Sequence, residues 1–444
     1  MNGAPFSGRR LHFVGIGGAG MSGLALVARE LGAQVSGSDA ADSPYCQRLR
    51  EHGLDPAIGH EAGNVPEGAE VIVSTAIPEH NPELAAARDR GQTVLHRGDL
   101  LGEVSRLKRT VAVSGTHGKT TTASMAAHAL IECGRDPGFL IGGEVRPGGG
   151  NAGWGMGDWA VIEADESDLS FLKLDRDVAV VLNVELDHHS TYRSLAELRD
   201  AFASFTQPAS VRVLGPEVDL PGEGEAVEFG IDHGDLRAEA VELRPGGSSF
   251  RVDGAEVELR VPGRHNVLNA LGALAACRAA GLAIAEAAPT LAGFGGAGRR
   301  FEDHGRTASG ARVFDDYAHH PTEVRATLEA ARTLGPSRLV ACFQPHLYSR
   351  TRKLAREFGA ALALADLAVV LEIYPARERA EDYPGVSGLL AAAAAGDAMG
   401  GRPVWWLPRM DDAERWLRDE LVEGDLVLTL GAGNVDELAR RLTA

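Results

Sequence analysis

The chain has 444 residues, a formal net charge of −18 and 44% hydrophobic residues. This length exceeds what one hydrophobic core usually serves, so we expect two or three domains. The acidic excess argues against a general nucleic-acid binder or a membrane-surface binder, because a polyanion would meet no attractive field.

The first predicted element is a strand that runs through a glycine turn into a helix, "LHFVGIGGAGMSGLALVARELG". Its segment Gly15 to Gly20 matches G-x-G-x-x-G, and Asp39 follows at the end of the next predicted strand, "AQVSGSD". Such glycines let a backbone approach a pyrophosphate at a helix N-terminus, and the acid takes ribose hydroxyls. The pattern alone predicts a pyrophosphate ligand and leaves open a nicotinamide or flavin dinucleotide, another diphosphate, or a plain tight turn.

A second opening of this kind is "VAVSGTHGKTTTASMAAHAL", which carries a short glycine loop. Only Thr116 and His117 separate Gly115 from the Gly-Lys-Thr triplet, whereas the usual phosphate loop has four intervening residues. Its physical logic survives the shortening, because backbone N–H groups at a helix start point at phosphate oxygens. Lys119 could reach the β- and γ-phosphates and Thr120 could ligate magnesium. We therefore predict a nucleoside triphosphate as the ligand.

Two predicted strands end in acidic or histidine-rich clusters, "VIEADESD" and "VVLNVELDHHS". The carboxyl ends of parallel strands open onto the edge that carries a phosphate loop, so these groups could complete a magnesium shell. Ordinary solvated loops are the alternative. A zinc site at His188 and His189 lacks the usual ligand spacing.

Residues 211–262 are predicted to form short strands and hairpins, and "GRHNVLNA" is predicted to begin a helix. The glycine-rich segment "RPGGGNAGWGMGD" is predicted to be a flexible loop, and "LLAAAAAGDAMGG" a helix with its terminus.

The last part of the chain combines "FDDYAHHPTE", "FQPHLYSRTR" and a third strand-glycine-helix opening, "LVLTLGAGNVDELARRL". So many titratable groups after an apolar strand favour a functional site. Alternation of strands and helices throughout predicts an α/β fold with doubly wound, parallel sheets. We place the domains at residues 1–108, 109–306 and 307–444.

The four cysteines are far apart and form no C-x-x-C pair. This spacing fits reduced thiols better than a disulfide framework or a zinc knuckle. Arg9 and Arg10 before "LHFVGIGGAGMSGLALVA" superficially resemble a signal segment, but this stretch contains His12 and several glycines and runs directly into the charged pair Arg29-Glu30. No other apolar run is long and uninterrupted enough to span a bilayer, so we expect a cytoplasmic protein without membrane insertion.

Taken in order, "HFVGIGGAGMSG", "GTHGKTTT", "EADESD", "GRHNVLNA", "FDDYAHHPTE", "FQPH" and "GAGN" resemble the motifs of the Mur ligases of peptidoglycan synthesis. The resemblance extends from His12 to Asn434. It implies three domains: an N-terminal Rossmann-like domain that binds a UDP-sugar, a central P-loop ATPase-type domain with a mostly parallel sheet, and a C-terminal Rossmann-like α/β domain that binds the amino acid.

The activity implied by the resemblance is the ATP- and Mg²⁺-dependent joining of L-alanine to the lactyl carboxylate of UDP-N-acetylmuramate, through an acyl phosphate. The alternative is a recycling ligase that attaches a preformed tripeptide to the same sugar. Neither implies a nucleic-acid partner, and the oligomeric state stays open.

The resemblance also implies roles for individual residues. The UDP-sugar would be bound by Gly15, Gly17, Gly18, Gly20, Asp39, Ser74 and Thr75. ATP would be bound by Gly115, Thr116, His117, Gly118, Lys119, Thr120, Thr121, His265, Asn269, Arg300 and Asp316. The metal ligands would be Thr120, Glu163 and His188. The catalytic set would be Lys119, Glu163, His188, Asp316, His319 and Arg350, with Tyr317 lining the amino-acid pocket.

Two departures affect these assignments. The family usually has "FQPHR", whereas this chain has Leu347, which removes an expected cation near the substrates. Sister ligases that add later residues use a carbamylated lysine after the metal histidine, and here no lysine lies between Lys173 and Lys353. The second departure is consistent with either an alanine-adding or a tripeptide-adding enzyme.

Overall fold

A computed structural model of the chain describes residues 4–148, 150–189 and 191–444. The chain divides into two compact units. The first comprises the chain up to Val184, with Leu195–Arg237 and Ala270–Thr290. The second comprises Glu185–Ser194, Ala238–Asn269 and Leu291–Ala444.

The first unit begins with a parallel five-stranded sheet in the order β3-β2-β1-β4-β5. Its strands are β1 Arg10–Val14, β2 Gln34–Asp39, β3 Ala57–Ile58, β4 Glu70–Val73 and β5 Val94–His96. Its helices are α1 Ala19–Glu30, α2 Pro44–Glu51, α3 Pro82–Asp89 and α4 Arg97–Ser105. This arrangement confirms the first strand-glycine-helix prediction, with β1 leading into α1 through the glycine turn.

A second sheet of the first unit contains strands in the order β13-β12-β11-β10-β6-β9-β7, with β8 antiparallel to β7. The strands are β6 Arg109–Ser114, β7 Gly138–Arg146, β8 Gly150–Trp154, β9 Trp159–Glu163, β10 Val178–Val181, β11 Val211–Leu214, β12 Glu225–Gly230 and β13 Leu236–Arg237. The helices are α5 Lys119–Glu132, α6 Leu195–Thr206, α7 Arg264–Ala279 and α8 Ile284–Ala287, and the division between the units falls inside α7. Strand β6 is central, so its carboxyl end lies between those of β9 and β10.

The prediction of a flexible loop at "RPGGGNAGWGMGD" is wrong for Gly150–Trp154, because β8 forms there and pairs with β7. Small residues make this pairing possible: a Cβ on Gly153 would lie 2.9 Å from the Phe139 ring. The buried Asn151 side chain donates to the carbonyl of Ala19 at 2.8 Å, which ties β8 to the start of α1. The glycine-rich composition predicts a loop, whereas the close packing of these glycines against Phe139 allows a strand to form.

Residues 211–262 are also more regular than predicted. Strands β11 and β12 extend the parallel sheet of the first unit. The hairpins predicted for this region are confined to a separate antiparallel sheet of the second unit, formed by β14 Glu239–Arg244, β15 Gly247–Val252 and β16 Ala255–Leu259.

The second unit also contains a six-stranded sheet in the order β18-β19-β23-β20-β21-β22, in which only β18 is antiparallel. Its strands are β18 Glu302–Arg306, β19 Arg312–Asp316, β20 Arg338–Phe343, β21 Leu367–Val370, β22 Val404–Trp406 and β23 Asp425–Leu430. A short strand outside this sheet, β17 Gly296–Ala297, precedes β18 in the chain. The helices are α9 Pro321–Arg332, α10 Tyr348–Leu362, α11 Leu389–Ala398, α12 Met410–Glu420 and α13 Asp436–Thr443. Fully buried apolar side chains cover both faces of this sheet, as parallel sheets require. Within the described ranges, every helix falls short of the length and apolar character that a membrane crossing needs.

Candidate active site

The predicted phosphate loop of the first unit, Gly115 to Thr121, begins at the carboxyl end of β6 and runs into α5. Gly118 has φ +83° and directly precedes α5, and Gly115 has φ +134°. A Cβ on Gly115 would lie 3.0 Å from the Leu182 backbone nitrogen, so only glycine fits there. The first N–H groups of a helix have no partner inside the helix, and this turn presents those of α5 at the loop.

Asn183, at the end of the neighbouring strand, fixes the loop. Its backbone carbonyl accepts the Thr116 N–H at 3.2 Å, and its side-chain oxygen accepts the His117 N–H at 2.8 Å. The Asn183 amide in turn donates to the His117 carbonyl at 3.0 Å. Sequence reasoning missed this residue, although it lies in the quoted segment "VVLNVE".

Lys119 is folded back over the loop and forms an ion pair with Glu166. Its Nζ lies 2.9 Å from Glu166 Oε2 and donates to the Gly115 carbonyl at 2.8 Å. The Glu166 side chain is 1% exposed. Although burial lowers the pKa of Lys119, the carboxylates of Glu166 and Asp165 raise it above its usual value, so the amine stays charged.

Thr120 and Glu163 lie together beside Lys119. The Thr120 hydroxyl donates to Glu163 Oε1 at 3.0 Å, and the other carboxylate oxygen accepts the Gly142 N–H at 2.6 Å. A hydroxyl on the first turn of α5 and a carboxylate at the end of β9 are hard oxygen donors of the kind that Mg²⁺ prefers. The donor set therefore fits the predicted ion. His188, the third predicted ligand, belongs to the second unit, where it has φ +51°.

The predicted UDP-binding turn of the first unit is closely packed. The Gly17 N–H donates to Asp39 Oδ2 at 2.8 Å, and the Ser43 hydroxyl donates to the Gly17 carbonyl at 2.9 Å. A Cβ on Gly17 would lie 2.6 Å from Cys46 Sγ. Asp39 therefore holds the glycine turn itself in this structure.

The other residues predicted to bind the UDP-sugar lie around that turn or after β4. Gly15 has φ +78°, and Gly18 and Gly20 are exposed. A Cβ on Gly20 would lie 2.8 Å from Arg97 Nη1. Ser74 is half-buried and Thr75 is exposed, directly beyond the end of β4.

In the second unit, Asp316 ends β19 and is nearly buried. Its carboxylate accepts the N–H groups of Phe301 and Ala318, each at 2.8 Å. Burial raises the pKa of Asp316 to about 6, against the opposing effect of Arg300. A carboxylate with such a pKa can exchange protons near neutral pH.

Aromatic and histidine side chains follow Asp316. The His319 ring packs edge-on against Tyr317, with ring centroids 5.2 Å apart, and lies 5.8 Å from the His346 ring. The Arg300 guanidinium lies 5.0 Å from the Tyr317 ring centroid. Burial lowers the pKa of His319 to about 3, so this ring is neutral at physiological pH.

Glu323 is a residue that the predicted site omitted. It accepts the His319 N–H at 3.0 Å and lies 4.0 Å from Arg300 Nη1. The sequence did carry a signal for it, because His320 and Glu323 form a capping box at the start of α9.

Arg350 forms a bidentate pair with Asp187 inside the second unit. Its Nε and Nη2 lie 3.0 and 2.9 Å from the two carboxylate oxygens. Burial raises the pKa of Asp187, but Arg350 and His188 outweigh this effect and hold the pKa well below its usual range. This pair fixes Asp187 directly beside His188.

His265 and Asn269 lie in the first turns of α7. A Cβ on Gly263 would lie 2.6 Å from the His265 ring, and burial lowers the pKa of that histidine to about 4. Asn269 donates to the Asn266 side chain at 3.0 Å, and Asn266 donates to the Pro262 carbonyl at 2.7 Å.

The structure thus brings the predicted residues together in separate groups. The first unit joins the phosphate-loop residues Gly115 to Thr121 with Glu163, and it contains the predicted UDP-sugar residues. The second unit joins Arg300, Asp316, Tyr317 and His319, with His346 linking His319 to Arg350.

Three family models match the chain. They are the Mur ligase catalytic domain at residues 10–109, the Mur ligase middle domain at 155–277 and the glutamate ligase domain of Mur ligases at 299–433. The chain is 46% identical to the UDP-N-acetylmuramate–L-alanine ligase of Symbiobacterium thermophilum, over 98% of this chain and 94% of the relative. It is 44% identical to the enzyme of that name from Streptomyces coelicolor, over 99% and 98% of the two chains.

Solved structures agree with these matches. The crystal structure of the UDP-N-acetylmuramate-alanine ligase of Thermotoga maritima has a TM-score of 0.84 at 30% identity, with 98% of each chain covered. A murein peptide ligase from Psychrobacter arcticus has a TM-score of 0.74 at 26% identity, also with 98% of each chain covered. The predicted α/β fold with three Mur ligase domains is therefore confirmed. The chain belongs to the Mur ligase family.

Proposed function

We propose that this protein joins L-alanine to the lactyl carboxylate of UDP-N-acetylmuramate, using ATP and releasing ADP and phosphate, in peptidoglycan synthesis. Support comes from relatives of that name, 44–46% identical over nearly the whole chain. The observation that carries the chemistry is the group formed by Lys119 and Thr120 at the start of α5 and Glu163 at the end of β9, in which Thr120 is buried and the other two are half-buried.

ATP is proposed to bind with its phosphates over the loop from Gly115 to Thr121. Lys119 would exchange its contact with Glu166 for the β- and γ-phosphates. Thr120, Glu163 and His188 would hold Mg²⁺, which when bound neutralises phosphate charge and so allows an anion to approach. His265, Asn269 and Arg300 are proposed to contact the rest of the nucleotide.

The first chemical step joins two anions. A lactyl carboxylate oxygen attacks the γ-phosphorus, the bond from that phosphorus to the bridging oxygen breaks, and ADP leaves with its electron pair. An acyl phosphate results. Lys119 stabilises the charge on the transferring group, because a fixed cation in a buried site costs little reorganisation.

The second step forms the amide. The amine of L-alanine attacks the acyl carbon, loses a proton and expels phosphate. Asp316, with a pKa of about 6, is a stronger base than His319, with a pKa of about 3. We therefore propose Asp316 as the proton acceptor, since a base is most effective when its pKa is near the working pH.

The UDP-sugar is assigned to the turn Gly15 to Gly20 with Asp39, Ser74 and Thr75. We propose that the domain boundaries follow residues 108 and 306. The match to the Mur ligase catalytic domain ends at residue 109 and the match to the glutamate ligase domain begins at residue 299, which supports both boundaries. Because ATP and UDP-sugars are cytoplasmic metabolites, we propose that the enzyme acts in the cytoplasm.

The second candidate is a ligase that attaches a preformed tripeptide to the same sugar. The Psychrobacter arcticus murein peptide ligase has the same fold, at a lower TM-score and identity than the alanine ligase of Thermotoga maritima. The two candidates differ in the amine substrate that the amino-acid pocket accepts, L-alanine or the tripeptide.

A coupled assay of ADP formation, omitting each substrate in turn, tests the proposal. We expect turnover to require ATP, UDP-N-acetylmuramate and L-alanine together, with far less stimulation by the tripeptide. Stimulation by the tripeptide alone would favour the second candidate, and no ADP with any combination would refute both.

A further inference from the structure

Arg350 is not open to an incoming carboxylate. Its Nε and Nη2 donate to Asp187, its Nη1 contacts His346, and the side chains of Arg350 and Asp187 are only 3% and 4% exposed. A substrate carboxylate would have to displace Asp187 and leave it buried without its cation, which is costly. Arg350 therefore positions the segment that carries Asp187 and His188.

The neighbouring position offers no cation either. Leu347 occupies the place where the family resemblance predicts arginine, and its side chain is buried. Its backbone has φ +69° and directly precedes α10.

A second segment, residues 374–378, is bound against residues 345–349. The Tyr374 N–H donates to the Pro345 carbonyl at 2.8 Å, and the Leu347 N–H donates to the Tyr374 carbonyl at 3.0 Å. The rings of Tyr374 and His346 are stacked, with centroids 5.9 Å apart and an interplanar angle of 11°.

The far end of that segment is fixed as well. Glu378 accepts the Ser349 N–H at 2.9 Å, and its own N–H donates to the Pro375 carbonyl at 2.9 Å, which closes a turn. Arg377 lies in this turn, exposed, between two residues that are hydrogen-bonded to the start of α10.

The positive charge of Arg377 affects the nearby His346. Burial lowers the pKa of His346 to about 2, and the positive charges of Arg350 and Arg377 contribute to the shift. The exposed Arg377 lies three residues after Tyr374, whose ring stacks on the neutral His346, and His346 also contacts His319.

We propose that Arg377 binds the carboxylate of the incoming amino acid and so supplies the cation that Leu347 does not. This inference rests on the proposed function, because it concerns the carboxylate of L-alanine. A guanidinium binds a carboxylate through two parallel hydrogen bonds, which also orients the amine.

The test compares KM for L-alanine in Arg377→Ala and Arg377→Lys with the wild type. A hydrogen-bonded charge pair predicts a KM increase on the order of 10- to 100-fold for Arg377→Ala, and a smaller increase for Arg377→Lys. KM for ATP and for UDP-N-acetylmuramate should stay unchanged. Arg379→Ala, an equally exposed arginine two positions along, is the matched control and should behave as wild type.

L-alaninamide, which lacks the carboxylate, separates binding from a merely structural effect. The wild type should prefer L-alanine strongly over the amide, and Arg377→Ala should lose most of this preference. If Arg377→Ala destabilises the fold, Arg377→Gln serves as the second neutral variant.

An unchanged KM for L-alanine, or a rise confined to the UDP-sugar, would overturn the assignment while wild-type turnover left the proposed function intact. Absence of alanine-dependent ADP formation in the wild type would instead defeat the proposed function itself.

Discussion

Replacing Lys119 by methionine should lower both the stability of the fold and the rate of catalysis. A second substitution, at Glu166, should restore the stability without restoring the rate. The variant leaves Glu166, whose side chain is 1% exposed, without its cation. Breaking a buried pair in this way costs about 3 to 5 kcal/mol. Loss of one preorganised charge at the transferring phosphoryl group should lower kcat by about 100- to 1000-fold.

The double variant Lys119→Met with Glu166→Gln removes the stranded charge as well. We expect it to recover most of the free energy of unfolding and none of the lost turnover. Urea denaturation measures the first quantity and phosphate release the second, and UDP-sugar affinity should stay near the wild-type value in both variants. A single variant as stable as wild type, or a double variant that regains turnover, would refute the role assigned to Lys119.

Asp316→Asn should lower kcat by at least about 100-fold. The wild-type profile of kcat should fall below pH 6, where Asp316 takes up a proton, and a profile that stays flat to pH 5 would exclude Asp316 as the base. Glu163→Gln should raise the Mg²⁺ concentration for half-maximal activity by at least about tenfold, whereas Thr120→Ser, which keeps the hydroxyl, should change it little; equal effects would contradict the ligand assignment. Glu83 is buried, and although burial raises its pKa, the nearby His12 ring and hydrogen bonds from Ser38 and Asn64 lower it from 4.5 to about 2. The Glu83 carboxylate should therefore add roughly 3 kcal/mol to the free energy of unfolding above pH 4.5, and this stabilisation should be lost as the pH falls towards 2. In Glu83→Gln, the free energy of unfolding should lack this dependence on pH.

The local signals in the sequence predicted the three strand-glycine-helix openings well. In each opening a buried strand runs into a glycine turn and then a helix: β1 into α1, β6 into α5 and β23 into α13. Glycine in the sequence indicates these turns directly, because Gly15, Gly118 and Gly431 have positive φ, a backbone conformation that most other residues rarely adopt.

The partners of the charged residues could not be predicted in the same way. Lys119 pairs with an acid 47 positions away, and Arg350 pairs with one 163 positions away. Several acids follow β9, and only the folded sheet decides which of them is buried against the lysine. The strand β8 was missed for a related reason, since its glycines pack against an aromatic ring rather than forming a loop.

The assignment of individual site residues remains a prediction. Lys119, Thr120 and Glu163 lie within one group, as the family resemblance implies. Arg350, expected to bind substrate, is instead bound to Asp187, which is why the search for a carboxylate ligand leads to Arg377.

In the proposed reaction, ATP phosphorylates the sugar's carboxylate before the amine attacks. UDP-N-acetylmuramate labelled with the heavy oxygen isotope in its lactyl carboxylate tests this directly, by mass spectrometry of the released phosphate. We expect one labelled oxygen in the phosphate per amide formed, since the carboxylate oxygen leaves with the phosphoryl group. Amide formation with unlabelled phosphate would contradict it.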